Sequence, residues 1–276
     1  MANPFKKVED LENEINDFLR RNKTFISNQG KRISDYFEMS CYNYIVRFYQ
    51  NQGFILEVKN LKAKKFKYKL SPSGYPENFS FFEIRIKNII DGEEKEICFE
   101  VHHNLTLQSG HQNDIYLTPD ISIINKETIV SDENHYLVEN STKKFCFVEN
   151  INLQTFCEVK NYNPFPELLF NFIGLYNELK KEVLDNEDQR DFPIHLAPTL
   201  MLSGKGNIHC ERIKKSLENR YKINMLFDLF DHGLTNFSIY NSKFLSQIGS
   251  LNPRAFDTMT INENTSENTS KIDLPF

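Results

Sequence analysis

The sequence predicts an α/β or α+β fold, a mixed central sheet flanked by helices, from three observations. Residues 5–51 carry apolar side chains at helical spacing, a succession of strand-like segments follows Gly53, and helix and strand signals alternate from Asn163 onward. The 276 residues, 39% of them hydrophobic, suffice for a substantial core and one elaborated domain. The expected organisation is an N-terminal amphipathic helical extension over 1–33, a main domain over 34–258, and a polar tail over 259–276.

Phe5, Val8, Leu11, Ile15, Phe18 and Leu19 recur at helical spacing over 5–20, so this segment must lie against something. A second helix is expected over 34–51 from Phe37, Cys41, Tyr44, Ile45 and Phe48, with Asn51-Gln52-Gly53 as its stop. Aromatic and branched residues then mark antiparallel strands over Phe54–Lys59, Phe66–Leu70, Ser80–Ile90 and Lys95–Leu107. Ser71-Pro72-Ser73-Gly74 and Asp91-Gly92 supply turns between them. Strand signals return over Asp114–Ile124 and Lys144–Lys160, and the acidic 127–141 between them reads as an exposed insertion or hairpin arm. Asn163-Pro164-Phe165-Pro166-Glu167 opens a helix running from Leu168 towards Val183, its prolines tolerated at or before the first turn. Ile194–Leu202 reads as a buried strand, 207–221 as a helix and Ile223–Leu229 as a strand. The tail from 259, mostly Asn, Thr, Ser and Glu, has too little apolar surface to repay its ordering.

Thirty-three Lys and Arg against 38 Asp and Glu give a net charge of −5, which excludes a uniformly basic nucleic-acid coat. The balance is uneven, since residues 1–69 hold 14 basic and 8 acidic side chains, a net +6. Six lysines fall in Lys59–Lys69, with Phe66 and Tyr68 interleaved. Lys62, Lys64, Lys65, Lys67 and Lys69 are therefore candidate phosphate contacts, and a solvated hairpin with its aromatics turned inward explains the same letters. No apolar run is long enough for a membrane span and no signal-peptide core is visible, so a cytoplasmic protein is expected. Cys41, Cys98, Cys146, Cys157 and Cys210 form no CxxC pair and read as reduced thiols.

Thr118-Pro119-Asp120 near one strand, and Glu158-Val159-Lys160 at the end of another before a long helix, carry the chemistry. Residues i and i+2 of a strand share a face, so Glu158 and Lys160 point the same way. Asp120 and Glu158 suit a hard Mg²⁺ ion, with the Val159 carbonyl a third donor, and Lys160 could orient water or stabilise negative charge on a phosphodiester. A structural salt bridge or strand caps would use the same residues. Glu57-Val58-Lys59 repeats the triplet without a preceding aspartate or a following helix.

Pro119-Asp120, then Glu158-Val159-Lys160, then a helix resembles the PD-(D/E)xK nuclease superfamily, over roughly residues 34–229. The resemblance implies a restriction-endonuclease-like core, with an N-terminal helix and strand insertions added, and Mg²⁺-dependent phosphodiester hydrolysis with Mn²⁺ as substitute. DNA is the expected partner, 5′-phosphate the expected product end, and a role in defence against foreign DNA is compatible with it. The 38 positions from Asp120 to Glu158 require 127–141 to be an insertion. Such families add a glutamate from the preceding helix; Glu38 matches by its spacing to Cys41, Tyr42 and Ile45, while Glu100 competes from a neighbouring strand. An RNA nuclease and an inactive binding or scaffold protein are the alternatives. Paired sites for cutting two strands, and the 5–20 stripe in need of burial, suggest a homodimer.

Overall fold

The computed structural model describes residues 8–27, 30–90, 93–133, 135, 143–179, 193–230 and 244–249. Its central sheet has seven strands, in the order β1 (Ile55–Lys59), β2 (Phe81–Ile90), β3 (Glu93–His103), β6 (Ile121–Asn125), β9 (Leu153–Lys160), β11 (Thr199–Leu202) and β12 (Asn224–Leu226). Pairing is antiparallel from β1 through β9 and parallel from β9 through β12. This is the mixed α/β architecture expected from the sequence.

Four helices cover the sheet. On one face lie α1 (Val8–Arg21) and α2 (Ile33–Asn51), whose core includes Phe37, Tyr42, Phe82, Val101, Cys157 and Val159. On the other lie α3 (Pro166–Glu178) and α4 (Ile208–Glu218), packed over Phe156, Leu200 and Met225. Alternate residues of β9 thus enter different cores, the signature of a strand covered on both sides. The start of α2 is fixed by Asp35, whose carboxylate accepts from the backbone N–H of Lys31 and Arg32, as an acidic residue in a first turn should. Pro166 opens α3, where its missing N–H leaves no helical bond unmade.

The α1 stripe is spent inside the chain. Leu11, Ile15, Phe18 and Leu19 are fully buried in the same core as α2, and the Phe18 ring lies 5.8 Å from that of Phe82. These four residues of the segment are thus part of the main core; Phe5 lies outside the described residues. The 127–141 expectation takes shape as an arm: β7 (Ile129–Asp132) and β8 (Phe145–Val148) pair antiparallel and join β4 (Leu107–Gln108) and β5 (Tyr116–Leu117) in a small separate sheet. Residues 134 and 136–142 lie outside the described set, as do Val183 and the 259–276 tail.

Several strand expectations are corrected. Phe66–Leu70 makes no strand, because its backbone bonds go to scattered partners: Phe66 to Phe25 and Ser27, Lys67 to Ser80. The run through Leu107 stops at His103, where Asn104 adopts a left-handed φ of 49° and sends the chain to the small sheet. Asp114–Ile124 divides between two sheets at Thr118-Pro119-Asp120, and Lys144–Lys160 divides at a 3₁₀ turn over Asn150–Asn152. Ile194–Leu202 breaks at Ala197-Pro198 into β10 (Pro193–Leu196), which pairs with β13 (Gln247–Gly249), and β11. Proline cannot donate to a ladder, which explains two of these breaks. Among the described residues no helix is long and apolar enough to cross a membrane.

Candidate active site

Pairing between β6 and β9 ends at Ile121↔Cys157, so β9 runs on past the start of its neighbour. The N–H of Val159 then has no strand partner and donates instead to Asp120 Oδ2 at 2.6 Å. The Val159 carbonyl projects from the same edge, since a strand residue aims its N–H and C=O to one side. Lys160 Nζ reaches Asp120 Oδ2 at 3.0 Å and Glu158 Oε1 at 2.6 Å, joining the carboxylate just before β6 to one on β9. The period-two expectation for Glu158 and Lys160 is met by this contact. A cleft of about 300 Å³ opens here, lined by Arg32, Glu38, Asp120, Val159, Lys160 and Tyr162 among others.

Glu38 enters the cleft from the second turn of α2. Asn104 Nδ2 donates to its Oε1 at 2.6 Å, and His103 Nε2 lies 3.1 Å from the same oxygen without hydrogen-bond alignment. Burial and then the Asp120 charge raise the Glu38 carboxyl above the usual range. Burial and Asp120 likewise raise Glu158, against the opposing pull of Lys160. For Lys160 burial acts downward, but Asp120 and Glu158 outweigh it and the ammonium is held more firmly protonated. The cluster thus gathers three carboxyl groups around one lysine, and two of them hold a proton more readily than free carboxyls do.

His103 is fully buried beside this site, and burial, then the Lys69 charge, lower its pKa from 6.5 to about 3. The unfolded chain takes up this proton near 6.5 while the folded chain refuses it until near 3, so stability is lost as pH falls through that window. Urea titrations below pH 6 should show this histidine removing about 1.4 kcal/mol per pH unit. His103→Gln should lose that share of the acid slope; an unchanged slope would refute the assignment.

Glu38, and not Glu100, is the third carboxylate of the cleft. Glu100 pairs with Ile124 in the β3–β6 register, three residues or about 10 Å along from Ile121. It lies on the face opposite Phe99 and Val101, where its carboxylate meets His102 Nε2 at 2.8 Å and the Glu127 N–H at 3.2 Å. If catalysis occurs in this cleft, Glu38→Gln should slow single-turnover cleavage by about 10²-fold while Glu100→Gln stays within about twofold of wild type. The reverse order would move the site.

The lysine run is not one surface. Lys64 and Lys65 are exposed and Lys62 half-buried, bonded to Asn60 and the Glu77 carbonyl. Lys67 lies 4.9 Å from the Phe79 ring, and Lys69 is buried, so the five lysines do not form one exposed row. Phe66 and Tyr68 point inward. Glu57 and Lys59 pair at 2.8 Å on the edge strand β1, with Arg85 also at Glu57, an ordinary surface cluster. Ser203–Gly206 lies in the turn between β11 and α4: Gly204 donates to the Tyr162 carbonyl, and a Cβ on it would overlap Asn163. All five cysteines are free, and Cys41, Cys157 and Cys210 are buried.

Arg32 and Tyr162 of the cleft, and Asn104 bonded to Glu38, escaped the sequence reading. Asn104 carries a signal, since Asn tolerates the left-handed φ that ends β3. Arg32 and Tyr162 carry none, because their places depend on how α2 and the loop after β9 fold.

The residues fit a hard divalent cation. Glu158 Oε2 is buried without a hydrogen-bond partner, Asp120 is held in one rotamer by the Val159 N–H, and both present anionic oxygen, the donor type that Mg²⁺ and Mn²⁺ take with waters completing the shell. Among the described residues no group of three or more His, Cys, Asp and Glu is placed to hold a metal ion, so a cation here would draw on Asp120, Glu158 and the Val159 carbonyl, with water for the rest. In comparisons with known proteins the chain matches no family model, no curated protein and no solved structure.

Proposed function

We propose that this protein is a Mg²⁺-dependent nuclease acting on DNA, with Asp120, Glu158 and Lys160 as its catalytic group. The observation that carries the reading is the convergence of these three residues: two carboxylates 38 positions apart in sequence meet on one ammonium, at 3.0 and 2.6 Å, and Asp120 and Lys160 line an open cleft. The resemblance of Pro119-Asp120 and Glu158-Val159-Lys160 to PD-(D/E)xK nucleases supports the same chemistry.

Asp120 and Glu158 offer oxygens to the cation, and the Val159 N–H fixes the Asp120 carboxylate for that task. A bound divalent cation supplies water activation and neutralises charge on the phosphodiester. Lys160, kept protonated by its two carboxylates, spends two N–H donors on them and has a third for a phosphate oxygen or attacking water. Glu38, with its raised pKa and its bond from Asn104, can hold a proton at the wall of the cleft. Tyr162, 63% exposed at the cleft lip, offers an aromatic face to a base.

Lys64 and Lys65 are the exposed lysines of the basic turn, with the half-buried Lys62 beside them. If they touch duplex phosphates, replacing all three with alanine should weaken binding and lower the magnitude of the log-affinity salt slope by about 2.7, at about 0.9 per lost contact. An unchanged slope would make the turn a solvated surface.

The function is tested by offering plasmid, linear duplex, single-stranded DNA and RNA in turn, each with EDTA, Mg²⁺ or Mn²⁺. Cleavage of DNA in either metal, absent in EDTA, is expected. Cutting confined to RNA would favour the ribonuclease alternative, and no cutting of any substrate would favour the binding-protein alternative. A homodimer remains the proposal for cutting both strands, and light scattering that gives a monomer with and without duplex DNA would remove it.

A further inference from the structure

A second cavity, of about 600 Å³, lies between the turn at Pro72–Pro76 and the arm strand β8, and its chemistry differs from that of the cleft. Lys69 lines it although only 4% exposed. Its ammonium donates to the carbonyls of Pro72, at 2.9 Å, and Asn104. An ammonium has three N–H groups, so these two bonds leave one unused. Among the described residues no carboxylate pairs with Lys69, and burial lowers its pKa to about 8. A buried cation without an anion is costly, and a bound anion is the simplest relief.

The rest of the wall mixes lysines and hydroxyls with the apolar Pro72, Pro76 and Phe145. Lys143 and Lys144 border the cavity with Ser73, Thr106 and Tyr75. Lys144 also pairs with Glu77 and stands 5.0 Å from the centre of the Tyr75 ring, so one carboxylate at the rim is already engaged. The volume falls within the range of small-ligand pockets, and exceeds what a lone inorganic anion needs. We propose that this cavity binds a phosphomonoester of mononucleotide size, its phosphate on Lys69 and the two arm lysines.

Its position links it to the cleft. Asn104 accepts from Lys69 through its carbonyl, donates through its side chain to Glu38, and donates through its backbone N–H to the Asp120 carbonyl. Thr106 of the cavity wall lies 3.3 Å from Thr118, two residues before Asp120. The same phosphomonoester could belong to a free nucleotide or to the end of a DNA strand. Binding in this cavity does not depend on the nuclease reading, because it requires neither metal nor cleavage.

The test is equilibrium binding in EDTA by full-length wild type and by Asp120→Asn. The ligands are dAMP, deoxyadenosine, and one oligonucleotide with either a 5′-phosphate or a 5′-hydroxyl. Phosphate-bearing ligands should bind at least tenfold more tightly than their counterparts in both proteins. Lys69→Met should erase that preference while melting at the same or a higher temperature, and Lys143→Ala/Lys144→Ala, which leaves the buried lysine intact, should reduce it severalfold. Competition of dAMP with the 5′-phosphorylated strand would assign the cavity to strand ends; dAMP binding without an end preference would assign it to free nucleotide. No phosphate preference in any ligand, or a preference untouched in a folded Lys69→Met and in the double variant, would overturn the proposal. Should Lys69→Met fail to fold, the double variant decides.

Discussion

Asp120→Asn is expected to lower single-turnover DNA cleavage by about 10³-fold or more while the protein stays folded. The amide keeps the shape of the carboxylate but removes the charge that attracts a divalent cation. It also frees Lys160 from one of its two anchors and leaves the Val159 N–H facing a neutral group. The substitution should therefore abolish metal-stimulated activity, and cation binding measured by calorimetry should fall with it. A variant that cleaves as fast as wild type would eliminate Asp120 from the chemistry. Loss of cleavage with undiminished cation binding would instead separate it from the metal.

Lys160→Met gives the second large effect, with a different pattern. Removing the ammonium should slow the chemical step by about 10²–10³-fold, the range for one preorganised charge-stabilising donor. Cation binding should survive or strengthen, because the lysine and a divalent ion compete for Asp120 Oδ2 and Glu158 Oε1. Glu158 loses the partner that holds its pKa down, so cation binding by the variant should depend more steeply on pH near neutrality. Equal losses of binding and turnover would mean that Lys160 merely organises the fold. Calorimetry and single-turnover rates on the same preparation distinguish the two.

The sequence made most of the site legible for a local reason. Glu158 and Lys160 sit on one strand, where a period of two fixes their common face, and Pro119-Asp120 announces a strand start. That Asp120 reaches both of them is a property of the β6–β9 register, which no local pattern encodes. The choice between Glu38 and Glu100 was similarly tertiary: both sit at plausible periodic positions, and only the position of Glu100 along its strand and the entry of α2 decide. The element errors share a cause. Phe66–Leu70 has the composition of a strand, yet its backbone finds partners in the loop after α1, a contact about forty residues distant in sequence. Lys69 looked like the end of a solvated run, and the left-handed turns at Ala63 and Lys64 return the chain so that it ends inside a cavity.

The most direct measurement is cleavage of supercoiled plasmid by wild type and Glu158→Gln, side by side in Mg²⁺ and in EDTA, with the product ends mapped. The account predicts nicked or linear DNA bearing 5′-phosphate ends for wild type in Mg²⁺, and intact plasmid in the other three reactions. Intact plasmid in all four, or equal cleavage by the Glu158 variant, would contradict it.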